Sequence, residues 1–386
     1  MFRQNVRYAE APRRPTRIGL NILFLIPGNV GGTEIYTLKL LQSLSDVDSF
    51  NAYYVYRTRE TGQAVVPNAP NFYDRPQNVR ATSRTTRLLF EQSLFLIAIA
   101  RDRLDVLFNL GFTAPLFAWM PMATVFYDLQ YKHFAHMWKK IDLIVARIMF
   151  PACAHRSKKI IAMSKSVRAD LEKFYPWSSD RIILVPHGSD PDFVRVRERR
   201  MTEPLSRQKF ILAVSSLMPH KNYEHLFLAF ARFRRSHPDY TLTVVGFKGL
   251  DAKRLRELRA KFDLADAVTF TGWIPREELL TLFVRARAFV YASNFERFGI
   301  LVLEALTAGL PCAVSNISPI VEIAADAVRY FDPGMIEDIA NALGDVVDDH
   351  ALRAKLSQEG PRRAELFAST NTLDHLVTTL TSLARH

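Results

Sequence analysis

Short apolar runs of three to nine residues alternate with helical patterns along this chain, and past residue 209 the alternation begins again. The first run, Ile18 to Ile26, is followed by the glycine turn Gly28-Asn29-Val30-Gly31-Gly32. A helical pattern then starts at Thr33, with Ile35, Leu38, Leu41 and Leu44 on one face. Further strand-like runs lie at Asn51 to Tyr56, Val106 to Asn109, Ala123 to Tyr127, Lys159 to Ala162 and Ile182 to Val185. The second series comprises strands Phe210 to Val214, Thr241 to Val245, Val268 to Phe270 and Ala288 to Tyr291. Helical stretches Tyr223 to Ser236, Asp251 to Phe262 and Arg276 to Arg285 separate them. Apolar strands that alternate with helices predict parallel sheets covered on both faces. At 386 residues the chain exceeds what one core ordinarily holds. The expectation is therefore two α/β domains in tandem, residues 1–195 and 196–368. The charged run Arg195-Val196-Arg197-Glu198-Arg199-Arg200, ahead of Pro204, reads as the hinge. An amphipathic helix in 369–386 has no strand after it and is expected to pack back on the first domain.

Composition removes several classes. A 48% hydrophobic, 23% charged chain is not disordered. Two cysteines, Cys153 and Cys312, cannot form a disulfide framework and favour a reducing compartment. No apolar run reaches the roughly 18 residues of a membrane span, and no cleavage site follows Ile18 to Pro27. The expected location is the cytoplasm, with peripheral attachment to the inner face of the membrane as a refinement. Residues 1–200 carry 29 Lys or Arg against 17 Asp or Glu, whereas residues 201–386 carry 22 of each, so the net +12 lies wholly in the first half. Helix-turn-helix, zinc-finger and aromatic RNA-binding patterns are absent, which argues against nucleic acid. An anionic membrane surface remains a partner class for the basic half. The stretch Arg84 to Arg103 fits it, reading as one helix in which basic residues flank a wide apolar face.

The most informative segment is Ala292-Ser293-Asn294-Phe295-Glu296-Arg297-Phe298-Gly299-Ile300-Leu301-Val302-Leu303-Glu304-Ala305. A strand ends at Tyr291, a polar loop follows, and a helix begins near Gly299. Ligands of open α/β sheets sit at the carboxyl ends of strands. The first amides of a helix are unpaired and suit a phosphate, and Gly299 has no side chain to block its approach. Glu304 lies five residues into the helix, about 7.5 Å along its axis, within reach of a ribose beside a diphosphate at the helix start. Glu296, in the loop, can accept hydrogen bonds from sugar hydroxyls.

Glu296 and Glu304 match the E-x7-E motif of retaining glycosyltransferases, and Phe295-Glu296-Arg297-Phe298-Gly299 resembles the usual Phe-Glu-Gly-Phe-Gly. Glu304-Ala305-Leu306-Thr307-Ala308-Gly309-Leu310-Pro311, Ser315-Asn316-Ile317-Ser318, Glu322 and Asp332-Pro333 extend the likeness. The chain thus resembles glycosyltransferase family four from about residue 18 to its end. The resemblance implies the GT-B fold, two Rossmann-like parallel-sheet domains, with the acceptor mainly on the first and a nucleotide-sugar donor mainly on the second. It implies transfer with retention, with Glu304 on the ribose, Glu296 on the donor sugar, and amides of Phe298, Gly299, Ile300 and Leu301 on the diphosphate.

Other segments fit the same pattern. Ser215-Ser216-Leu217-Met218-Pro219-His220-Lys221-Asn222 resembles the family's Arg-Lys-Asn/Gly turn, with Lys221 at the phosphate-binding lysine and Ser216 where an arginine is frequent. A lysine there neutralises the leaving diphosphate as its charge grows. Gly31 and Gly32 fit the glycine loop of the first domain. Tyr127-Asp128 replaces a common His-Asp; Tyr127 can hydrogen-bond a sugar but cannot act as a base near neutral pH. Ser164 with Lys165, and Pro186-His187-Gly188-Ser189-Asp190, resemble two further cleft segments. Loops Phe247-Lys248-Gly249 and Gly272-Trp273-Ile274-Pro275 are expected to hold the base. No metal-ligand pattern stands in a convincing context, so neither metal nor other cofactor is expected. The expected activity is hexose transfer, preferably of mannose from GDP-mannose, to a glycan or lipid-linked acceptor, with a UDP-hexose donor as the alternative. A non-catalytic glycan- or lipid-binding scaffold is the reading from another class, and the intact Glu296, Glu304 and Lys221 set argues against it.

Overall fold

The computed structural model describes residues 14–28, 32–202, 209–246, 249, 251–367 and 369–385. The chain divides into two compact units, one of residues 1–163, 167–185 and 370–386, the other of 164–166 and 186–369.

The first unit is built on strands β1 Arg17–Asn21, β2 Ala52–Thr58, β3 Phe72–Gln77, β4 Val106–Asn109, β5 Met122–Phe126, β6 Lys159–Ala162 and β7 Ile182–Leu184. Their order is β3-β2-β1-β4-β5-β6-β7, and every pair is parallel. One face of the sheet buries Ile18, Leu20, Val106, Phe108, Ala123 and Val125 against the helix Gly32–Val47. The helix Ser369–Leu383 joins that core through Leu373, Leu376 and Leu380. The other face is covered by helices at Arg84–Glu91, Leu94–Arg101, Lys140–Arg156 and Lys165–Phe174.

The second unit contains β8 Phe210–Val214, β9 Thr241–Val245, β10 Val268–Gly272, β11 Ala288–Tyr291, β12 Cys312–Ser315 and β13 Arg329–Phe331, in the order β10-β9-β8-β11-β12-β13, again all parallel. Alternation along β8 sends Phe210, Leu212 and Val214 to one core and Ile211 and Ala213 to the other. Burial on both faces explains why β8 and β11 read as unbroken apolar runs.

Two expectations change, and one strand had no signal in the sequence. Residues 195–200 are not a linker: they lie in the helix Pro191–Thr202, whose Phe193 and Val196 enter the core. Arg200 is buried there and caps the end of another helix, donating to the carbonyls of Phe283 (2.7 Å), Val284 (2.8 Å) and Ala286 (3.1 Å). The boundary at 195/196 thus falls inside a helix of the second unit, and Pro204 lies outside the described residues. The single helix expected over Arg84–Arg103 is two, broken at Gln92 and Ser93. The Gln92 side chain turns away to donate to Ala114 O (2.9 Å) and accept from Leu116 N–H (2.8 Å). Strand β3 has no alternating signal and contains Pro76, a residue that a sheet tolerates at its edge, where β3 lies.

Candidate functional site

In the second sheet the strand order reverses between β8 and β11, so the loops leaving these two strands diverge around a crevice at their carboxyl ends. The β8 loop carries Ser215 to Asn222 and the β11 loop carries Ala292 to Gly299. They are tied together: Asn294 N–H donates to His220 O (2.8 Å), and the Ser293 hydroxyl donates to the same oxygen (3.1 Å). Asn222, in the left-handed conformation at φ 58°, turns the chain into the helix Tyr223–Phe233 and donates to Pro333 O (2.8 Å). That bond ties the Asp332-Pro333 turn to the lysine loop.

The loops bring Lys221 and Glu296 into an ion pair through Lys221 Nζ and Glu296 Oε1. Tyr291, the last residue of β11, completes a triangle: its hydroxyl donates to Glu296 Oε1 (2.7 Å) and accepts from Lys221 Nζ (3.0 Å). Lys221 also lies 5.4 Å from the Tyr291 ring centroid. Burial alone would raise the Glu296 carboxyl, but Lys221 with hydrogen bonds from Lys221, Tyr291 and Ser293 outweighs it and holds the group below the ordinary value. Burial, then the Lys221 charge, pushes His220 down to about 4, so this imidazole is neutral at neutral pH.

Gly299 sits at φ 97° and caps the helix Ile300–Thr307. A side chain there would be strained by the backbone angle rather than by crowding. The first helical bonds run from Val302 and Leu303 N–H to Gly299 O (3.0 and 3.2 Å), which leaves the Ile300 and Leu301 amides at the helix start as anion donors. Glu304 is buried on this helix. Arg276 lies close by, donating to Asp190 and to Asp192 Oδ2 (2.9 Å). Burial would lower the Arg276 guanidinium, but Asp190, Asp192 and Glu304 hold it above its ordinary value. Gly272, at φ 72°, ends β10, and its carbonyl accepts from Gly246 N–H (3.3 Å). Gly246 and Gly249 both pass so close to the lysine loop that a Cβ would stand 2.0 Å from Ser215 O and 1.9 Å from Leu217 O.

Other expected residues sit elsewhere. Phe298 packs its ring into the core against His187 (4.8 Å), so only its backbone faces outward chemistry. Ser216 uses its carbonyl to accept from Met218 N–H (3.0 Å) and shape the turn. In the first unit Tyr127 is a core residue: its hydroxyl donates to Leu110 O (2.7 Å), and its ring meets Tyr36 and Phe112 edge-on. Asp128 accepts from Gln130 N–H (2.7 Å) and begins a short helix. Gly32 is the exposed first residue of its helix, whereas Gly31, Phe247 and Lys248 lie outside the described residues. Ser164 donates to Arg297 O (2.8 Å) and Lys165 N–H donates to Glu322 (2.9 and 3.0 Å), contacts within the second unit. Tyr291 and Arg276 were not singled out from the sequence. A tyrosine ending an apolar strand five residues before Glu296 was the one signal for the first; nothing local marks the second.

Two family models match: Glycosyltransferase Family 4 over residues 30–193 and Glycosyl transferases group 1 over residues 195–363. An O-antigen chain mannosyltransferase B of Escherichia coli is 25% identical over 221 residues, covering 56% of this chain and 58% of that enzyme. The chain thus spans little more than half of the curated relatives it matches. Among solved structures, sucrose-phosphate synthase of Thermosynechococcus elongatus aligns with a TM-score of 0.77 at 18% identity, covering 95% of this chain and 99% of the other. The Anabaena HepE protein in complex with UDP and glucose aligns at 0.71 and 16%, covering 96% and 100%.

Proposed function

We propose that this chain, which belongs to glycosyltransferase family four and has the GT-B fold, moves a hexose from a nucleotide sugar to an acceptor hydroxyl with retention at the anomeric carbon. The observation that carries the reading is the Lys221–Glu296–Tyr291 triangle at the switch point, beside the open helix start at Gly299 and the buried Glu304. In this reading the diphosphate lies on the Ile300 and Leu301 amides with Lys221 against its growing negative charge. Glu304 accepts from the ribose hydroxyls. Glu296, kept ionised by Lys221, accepts from hydroxyls of the donor sugar. Lys221 and the helix amides supply the positive charge that a metal supplies in other transferases, so activity is expected to survive chelator. The leaving phosphate takes the acceptor proton on the face from which the acceptor attacks.

Mannose from GDP-mannose is the preferred donor, because the similar E. coli protein is named a mannosyltransferase. A UDP-hexose is the alternative, and the acceptor is a glycan or lipid-linked glycan. Melting temperature measured with GDP, UDP and ADP tests the donor, since a bound nucleotide stabilises by mass action. A shift with GDP alone supports the mannose reading; a shift with UDP alone moves the donor to a UDP-hexose.

A further inference from the structure

The helices on the outer face of the first unit turn apolar side chains toward solvent. The exposed side of the helix Lys140–Arg156 carries Ile141, Ile144 and Ile148, interleaved with Lys140 and Arg147. Beside it, the loop after β4 presents Phe117 and Trp119, and the helix Arg84–Glu91 presents Leu89. Each of these six apolar residues is more than half exposed, from 56% at Ile144 to 75% at Phe117. Hydrogen bonds and ion pairs hold the three elements in one layer. Arg84 pairs with Asp142 (2.9 Å), Gln92 binds Ala114 and Leu116, and Arg156 donates to Leu116 O (3.2 Å).

Scattered apolar residues on a surface need no explanation, but a set carried on three interlocked elements does. The charge around this one narrows its partner. Residues 84–101, 112–121 and 138–156 contain seven Lys or Arg and two acids. Glu91 is buried, and Asp142 is already paired with Arg84, so the outward-facing charge is positive. Isoleucines interleaved with cations on one helix face, with two aromatic residues on an adjoining loop, match an interfacial helix whose apolar face enters lipid while its cations meet anionic headgroups. Among the described residues no helix is long and apolar enough to cross a membrane, so such contact is peripheral.

We propose that this face docks on an anionic lipid surface, with Phe117, Trp119 and the isoleucines of the Lys140–Arg156 helix entering the lipid interface. The surface stands independently of the donor site. It deepens the proposed function only by implying a lipid-borne acceptor, and in that respect rests on it.

The test is flotation of the full chain with phosphatidylcholine vesicles, with and without phosphatidylglycerol. Binding is expected only with the anionic lipid, and to weaken from physiological salt to 1 M salt as the Debye length falls from about 8 to about 3 Å. The F117S/W119S variant is expected to bind about two orders of magnitude more weakly, each aromatic group no longer leaving water being worth on the order of tenfold. I141S/I144S tests the helix separately, and K139E/K140E is expected to reduce binding to the anionic vesicles. All these side chains are exposed, so unchanged melting curves are expected. Absence of vesicle binding at low salt, or equal binding by both apolar variants, overturns the proposal. So does a dimer in solution that I141S/I144S converts to monomer, which would make the face a subunit contact. Nucleotide release from the donor, measured in parallel, separates the two readings: vesicle binding without release leaves docking standing and the transferase reading failed.

Discussion

Lys221, Glu296 and Tyr291 form a mutually dependent set. In the proposed reaction, replacing Lys221 with Ala removes the cation opposite the departing diphosphate, where charge develops in the transition state. Turnover should fall by about 10²–10³, with a smaller change in nucleotide Kd; a pure KM effect would show a binding role only. Tyr291→Phe removes two hydrogen bonds to charged groups, to Glu296 and from Lys221, each worth about 1.5–3 kcal/mol, and should lower the melting temperature while nucleotide still binds. Glu304→Ala should raise nucleotide Kd by about 10- to 100-fold through the loss of charge-assisted bonds to ribose; calorimetry with an unchanged Kd would remove that assignment. Acid has a defined direction here. His220 is depressed from 6.5 to about 4, and a depressed group contributes stability that is complete above its unfolded value. That contribution is lost as pH falls from 6.5 toward 4, and Glu296 adds loss in the same direction below 4.5. Melting curves of His220→Gln should flatten the limb between 6.5 and 4. The loop positions of Glu296 and Lys221 and the helix position of Glu304 were legible in the sequence from their strand–loop–helix context, and their roles toward a donor belong to the proposal. Tyr127 was misread as cleft-facing, because sequence shows the end of a strand but not which side of the sheet a side chain takes.

Among the elements, the helix Ile300–Thr307 depends most on a single backbone angle. Gly299→Ala imposes a left-handed conformation on an L-residue, at roughly 1–2 kcal/mol or more, although the side chain itself has space. Its expected effect is weaker nucleotide binding with little repacking, checked by a nucleotide titration alongside near-ultraviolet dichroism. Elements buried on both faces were readable from their apolar runs, as β4, β8 and β11 show. The edge strand β3 was not, because a strand paired on one side needs no such run and accommodates Pro76. The helix Pro191–Thr202 was hidden by its charge. Arg195, Arg197 and Arg199 look like a linker until Arg200 is seen capping the carbonyls after Leu282 and Phe193 entering the core.

At the scale of the whole molecule, the chain returns to its first unit after completing the second. Leu373, Leu376 and Leu380 are buried in the first unit's core. Leu376→Ala should therefore cost about 2–5 kcal/mol and lower the melting of the first unit while nucleotide binding, which the proposed function assigns to the second, survives. The helix itself was legible from its periodicity, whereas its place in the first unit's core is read from the contacts of Leu373, Leu376 and Leu380. Donor identity was not legible, because loops that hold a base through backbone groups leave little trace in side chains. The switch point between β8 and β11 is proposed to activate a nucleotide sugar. Release of nucleoside diphosphate from GDP-mannose and from UDP- and ADP-hexoses, without acceptor, tests it most directly. Slow release from one donor by the wild-type chain, abolished in Lys221→Ala and insensitive to chelator, is the predicted result. No release from any of them, or equal release by Lys221→Ala, would contradict it.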